Sequence, residues 1–240
     1  MDTVASQAEL LEGLNEPQRQ AVMHGDGAVL ILAGPGSGKT RVITHRIAHL
    51  VIEHRVPPWR VLAVTFTNKA AREMRERAAK LLGEDAASLH MGTFHSMCAR
   101  WLRIDGQAIG LSPDFVIYDD ADQVALIKRI LEELHIDPRR FPPRSVLSAI
   151  SNAKSELIVP EAFLATVRGY ADEVIARAYA AYERSLKQAS AVDFDDLLLY
   201  AVKLFEIPEM LQKYAGRYLH VLAGCSPGRF RLRKKRQMAK

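Results

Sequence analysis

Residues 33–40 read Ala-Gly-Pro-Gly-Ser-Gly-Lys-Thr. The Gly-Lys-Thr ending is that of a loop that cradles phosphate, although Ala33 stands where the usual pattern opens with glycine. Each residue type has a task in that chemistry. Gly34, Gly36 and Gly38, with Pro35 and Ser37 between them, let the backbone turn its N–H groups toward an anion, and a helix starting directly after the loop adds its positive end. The Lys39 ammonium is a point charge for β- and γ-phosphate oxygens, and the Thr40 hydroxyl is a ligand for Mg²⁺. Lys39 and Thr40 are the candidate catalytic groups, Thr40 is the candidate metal ligand, and a nucleoside triphosphate is the candidate cofactor.

Such a loop works only between a strand and a helix, and the flanking pattern supplies both. Ala28–Ala33 (AVLILA) reads as a buried parallel strand, and Val42, Ile43, Ile47, Leu50 and Val51 recur at helical spacing behind the loop. Arg60–Phe66 predicts a second strand, Asn68–Leu82 a helix stopped by Gly83, Leu89–Gly92 a third short strand, and Phe94–Gln107 another helix. Strand, loop and helix in repetition are the grammar of a doubly wound α/β sheet. The middle is different: Asp120–Leu134, Ser145–Glu156 and Glu173–Gln188 read as helices with no convincing strand between them, which predicts a helical insertion. Asp120 with Gln123 offers a capping box for the first of these. Asp193 caps a further helix over Phe194–Phe205, and Tyr218–Leu222 returns to strand character. The expected organisation is residues 1–108 with 190–222 as the α/β part, 109–189 as the helical insertion, and 223–240 as a basic, unstructured tail.

Composition narrows the class further. With 48% hydrophobic and 25% charged residues in 240, the chain carries enough apolar material for a packed core, and global disorder is excluded. Its apolar runs fall far short of the ~20 residues that a membrane-spanning helix needs. Residues 1–16 are acidic without a long apolar segment, and Cys98 and Cys225 have neither metal-ligand nor disulfide-framework spacing, so a cytoplasmic protein is expected. The seven cations of residues 223–240 take the net charge from +5 to −2 when removed, so the basic character belongs to the tail alone. Such a run is a solvated, disordered end, a nucleic-acid arm or a membrane-surface patch, the first being the expected reading.

Further segments stand in a telling order. Leu14–Val22 (LNEPQRQAV) precedes the glycine loop, Val64–Met74 (VTFTNKAAREM) lies one strand beyond it, and Gly92–Ser96 (GTFHS) and Val192–Leu198 (VDFDDLL) follow. Together with the loop they resemble the UvrD/Rep/PcrA-type superfamily I helicases over about residues 10–222. The resemblance implies a RecA-like motor domain with helices on both faces of its sheet, ATP and Mg²⁺ as cofactors, and single-stranded DNA as partner. It assigns Gln18 to the adenine base, residues 33–40 to the phosphates, and Phe66, Thr67, Asn68, Thr93, Phe94 and His95 to the DNA. Elementary chemistry is compatible: an amide presents a donor and an acceptor together, as an adenine edge requires, and an aromatic beside small polar groups suits an unpaired strand. Without the resemblance, Gln18 reads as an exposed glutamine, Phe66 as a core residue and His95 as a packing residue.

The acids raise a separate expectation. Hydrolysis requires carboxylates for Mg²⁺ and for the attacking water, which the family carries as an Asp-Glu pair at a strand end. Asp119-Asp120 behind Phe115–Tyr118 is the one local pattern of that kind, with a helix cap as its other reading; Asp193, Asp195 and Asp196 offer paired carboxylates for metal or acid/base work, but read rather as acids complementing a helix dipole. The resemblance places the pair just after Leu222, where the sequence becomes Ala-Gly-Cys-Ser-Pro-Gly. The family's second motor domain has no counterpart in the remaining residues. These features imply a truncated or frameshifted product with an incomplete sheet, prone to self-association, that binds ATP without effective hydrolysis or unwinding. The alternatives are a non-catalytic binding module holding DNA through its tail, and a kinase or GTPase, which leaves Gln18 and the Thr-Phe-His-Ser segment unexplained.

Overall fold

The computed structural model describes residues 10–25, 27–32, 34 and 36–224. They form two compact units, one built from the chain up to Met97 and again from Gln212, the other from Cys98–Leu211. The result is an α/β protein with a small parallel sheet and many helices.

The first unit is organised by β1, Val61–Thr65, whose five residues are all buried. A strand buried on both faces needs partners along both edges, and β1 has them. It pairs in parallel with β2 (His90–Thr93) on one side and with β5 (His220–Gly224) on the other. Around it lie α1 (Glu16–Met23), α2 (Lys39–Ile52) and α3 (Asn68–Leu82). Ile47, Leu50, Val61, Ala63, Met74 and Leu82 join α2, β1 and α3 in one apolar cluster. Behind β2, the Tyr218 hydroxyl and the His90 Nδ1 meet at 2.6 Å, and Arg60 donates to the Gly216 carbonyl at 2.6 Å, so the approach to β5 is tied to the other two strands.

The expected strand over Ala28–Ala33 is not formed. Residues 28–32 are irregular and exposed, with Leu30 76% and Leu32 87% accessible, and Ala33 lies outside the described residues. Apolar composition favours burial, but a strand also needs a hydrogen-bonding edge. Among the described residues the sheet ends at β5, and residues 28–32 pair with neither edge.

The second unit is helical: α5 (Asp120–Glu133), α6 (Pro143–Ser155), α7 (Pro160–Leu164), α8 (Tyr170–Gln188) and α9 (Phe194–Phe205). Two connecting helices, α4 (Phe94–Asp105) and α10 (Pro208–Arg217), complete the set. A short parallel pair joins β3 (Val116–Ile117), inside the strand-like run Phe115–Tyr118, to β4 (Ala191–Val192), where the sequence predicts no strand. Two residues per strand are too few for periodicity to register. Leu126, Ile130, Val146, Ile150, Tyr179 and Tyr182 fill the helical core. Asp119, rather than Asp120, caps α5: its carboxylate accepts from the Ala121 and Asp122 amides, and those amides hold its pKa below the ordinary value. Asp119 therefore serves as a helix cap. Cys98 is buried, which pushes its thiol up to about 11 and leaves it inert; Cys225 lies outside the described residues.

Asp193 caps α9 as expected, but it does more. Lys154, fully enclosed, puts its ammonium 2.8 Å from Asp193, 2.7 Å from Asp196 and 2.7 Å from Glu183, and the Tyr182 hydroxyl donates to Asp193. One cation thus joins α6, α8 and α9. Burial alone would lower the Lys154 pKa, yet the surrounding carboxylates raise it, so it stays charged. Burial pushes Asp196 up to about 7 against the pull of Lys154.

Lys154→Met removes the cation while three carboxylates remain, and should cost ~3–5 kcal/mol, read as a lowered urea midpoint. For Asp196 the folded state keeps a proton that the unfolded chain releases near pH 4. Its contribution is therefore full below that pH and lost as pH rises toward 7. Asp196→Asn should flatten the stability profile between those values; an unchanged slope would show that other groups set it.

Candidate nucleotide cleft and nucleic-acid face

The glycine loop enters α2 through Gly38, which takes the left-handed backbone conformation (φ +79°), as does Gly36 (φ +76°). α2 therefore begins without a capping side chain, and its first-turn amides face the loop, the arrangement that accepts an anion. The Gly34 carbonyl gathers the loop, accepting from Ser37 Oγ at 2.7 Å and from Lys39 Nζ at 2.6 Å. Ala33 and Pro35 lie outside the described residues.

A cleft of about 110 Å³ opens beside Lys39 and Thr40, with Ile43, Thr65, Phe66, Thr67 and Gly224 among its walls. The parallel register explains this company. Thr65 lies opposite both Thr93 and Gly224, so the C-terminal ends of all three strands finish in one row. Ligands of open α/β sheets collect at such ends.

Gln18 stands against the loop. Asn15 caps α1, its Oδ1 accepting from the Gln18 amide at 3.0 Å, while Gln18 Oε1 accepts from the Asn15 amide at 3.1 Å. Gln18 Nε2 donates to the Ser37 carbonyl at 3.0 Å. These bonds settle which end of the carboxamide is which, and they use one of its two N–H donors and one lone pair of its oxygen. One donor and one acceptor remain, the pair that an adenine edge matches. The Asn-x-x-Gln signature of this capping box was readable in the sequence; the bond to Ser37, nineteen residues away, was not.

The expected DNA-facing residues fall on two adjacent strand ends. Phe66 leaves β1 with 37% of its surface exposed and rests against Phe94, ring centroids 5.1 Å apart. Thr67 caps α3 by accepting from the Ala70 amide, and Asn68 opens that helix exposed. Thr93 is buried instead: its hydroxyl accepts from the Ser96 amide, and Ser96 Oγ accepts from the Thr93 amide, so it shapes the turn into α4 rather than presenting itself. Phe94 and His95 are half-buried. The structure therefore brings Phe66, Thr67, Asn68 and Phe94 to one surface. Thr65 and Gly224, which line the cleft, were not singled out from sequence.

Residues 14–223 match the UvrD/REP helicase N-terminal domain, and the chain belongs to that family. Its similarity to individual members is high. It is 50% identical over 216 residues to the ATP-dependent DNA helicase PcrA of Bacillus subtilis, covering 89% of this chain and 29% of that protein. The corresponding PcrA proteins of Leuconostoc citreum and Staphylococcus aureus are 48% and 47% identical, with 88% of this chain covered in each case and 29% and 30% of theirs. The chain thus spans under a third of the length of the curated relatives it matches. No helix among the described residues is long and apolar enough to cross a membrane.

A Cβ at Gly38 would lie 2.9 Å from Gln18 Nε2 and would occupy a backbone conformation strained for any side chain. Gly38→Ala should therefore weaken nucleotide binding by about tenfold or more, given ~1–2 kcal/mol for the backbone alone, as measured by fluorescent-nucleotide titration. An unchanged affinity would mean that the loop does not hold nucleotide in this conformation.

Proposed function

We propose that this chain is the ATP-binding and single-stranded-DNA-gripping part of an ATP-dependent 3′–5′ DNA helicase motor, on a RecA-like domain, acting in DNA repair or replication. The observation that carries the reading is the shared cleft: Lys39 and Thr40 form one wall, and Thr65, Phe66 and Thr67, at the start of the nucleic-acid face, form another. Nucleotide and strand would be held by adjoining residues of one segment, so that occupancy of one bears directly on the other.

The groups present fit a magnesium nucleotide on the phosphate side. Uncapped amides at the start of α2 and the Lys39 ammonium would receive the phosphates, Gln18 the base, and the Thr40 hydroxyl the metal. Mg²⁺ would supply charge neutralisation of the phosphate oxygens. The set is short of acids: among the described residues the cleft is lined by no carboxylate, and directly after Leu222 the chain reads Ala-Gly-Cys-Ser. We therefore expect this chain to bind ATP tightly enough to measure, turn it over far more slowly than a motor enzyme, and leave duplex DNA unopened. A second reading, a binding module whose basic tail holds DNA, rests on the seven cations after Ala223.

Lys39→Ala should reduce ATP affinity at least about tenfold, since it removes a charge-assisted contact worth ~1.5–3 kcal/mol. Phe66→Ala should weaken oligo(dT) binding by about tenfold through lost stacking, while Lys39→Ala should leave oligo(dT) binding in the absence of nucleotide within about twofold. Deleting residues 225–240 separates the two readings. Loss of oligo(dT) binding on deletion, with Phe66→Ala neutral, would favour the tail; a motor-like DNA-stimulated ATPase rate would overturn the expectation of slow turnover.

A further inference from the structure

Helix α1 has eight residues, too few to persist alone in water, and nothing basic in its last turn to complement its carbonyl end. Its apolar anchorage is a small cluster: Val22 and Ala21 of α1, with Leu11 and Leu14 of the preceding chain, against Val42 of α2. What meets its carbonyl end is Arg46, in the middle of α2 and only 8% exposed. The Arg46 Nη1 lies 2.9 Å from the Val22 carbonyl and 2.6 Å from that of His24, and Nη2 lies 3.3 Å from that of Gly25. A planar fork reaches several carbonyls of a helix end at once, which a lysine ammonium cannot reproduce. Two neighbours on α2 grip the chain before α1 in the same manner: His45 Nδ1 lies 2.6 Å from the Leu10 carbonyl, and Arg41 donates to that of Glu12 at 3.3 Å.

The two ends of α1 are thus tied to different parts of one element. At the start, Gln18 reaches the Ser37 carbonyl in the loop that leads into α2; at the finish, Arg46 holds the last carbonyls two turns further along α2. We infer that Arg46 is a positioning residue for base recognition: by clamping the carbonyl end of α1 it fixes where the carboxamide of Gln18 sits above the glycine loop, and so sets the preference for adenine over guanine nucleotides. The inference rests on the reading of Gln18 as the base-reading group. It goes beyond that reading in placing the control of specificity on a residue that would touch neither base nor phosphate.

The test uses the 240-residue chain and titrations with N-methylanthraniloyl derivatives of ATP and GTP. The wild type should prefer the ATP derivative by about tenfold, as expected for one well-placed amide–base pair. Arg46→Lys and Arg46→Met should bring that preference to within about twofold of unity. The GTP derivative should bind within about threefold of its wild-type affinity, because its phosphate contacts do not pass through α1. Retention of the wild-type preference in both variants, with Gln18→Ala losing it, would overturn the inference while leaving the Gln18 reading intact. A wild type without preference, or a Gln18→Ala variant that keeps it, would overturn the reading and the inference together. If Arg46→Met fails to fold, Arg46→Lys carries the test alone, with amide exchange as a second measurement. Residues 19–23 should exchange at least about tenfold faster in Arg46→Lys while residues 62–65 stay protected, and unchanged exchange at 19–23 would count against the clamp.

Discussion

The burial of β1 on every side is the constraint from which the site follows. Its five residues are enclosed and both its edges are hydrogen-bonded, so the only part of this segment that can meet a ligand is its C-terminal exit. Parallel pairing forces β2 and β5 to finish in the same row. Phe66 through Asn68 emerge from that row and Lys39 and Thr40 reach it from α2, so cleft and aromatic face become neighbours without any long-range device. In an antiparallel sheet the same segments would have ended on opposite sides.

Within the loop, the Gly34 carbonyl sets the electrostatic terms. It accepts from both Ser37 and Lys39, holding the ammonium close to the chain's own backbone. A phosphate entering the loop would compete with a neutral carbonyl for that cation, and a charged acceptor would win such an exchange because charge-assisted hydrogen bonds are roughly twice as strong. The loop is thus stable by itself yet remains convertible.

Much of this architecture was legible in the residues. β1, β2 and the long helices declared themselves through apolar runs and helical spacing, and the glycine loop through its motif. The misses share one cause, that partnership across the fold leaves no local mark. Residues 28–32 have the composition of a buried strand, but composition does not say whether the segment pairs with a sheet edge, and here it pairs with neither. Lys154 and Arg46 sit in helices where a cation ordinarily faces water, and only the packing of other elements turns them inward. The Asp119–Asp120 pair offered two caps one residue apart, and backbone geometry rather than side-chain type chose the first. At the site, the residue types of Lys39 and Thr40 spoke for themselves and Gln18 stood out only through the family resemblance, whereas Thr65 and Gly224 matter through register alone.

The clamp on α1 also bears on the order in which this protein is made. The helix lies at the start of the chain, but the guanidinium that completes it belongs to residue 46. At ~5–20 residues per second of synthesis, the segment waits a second or more after it is made before its anchor exists. During that interval so short a helix has no means of staying wound. The Gln18 side of the glycine loop is therefore assembled backwards, with the earlier segment settling onto a later one.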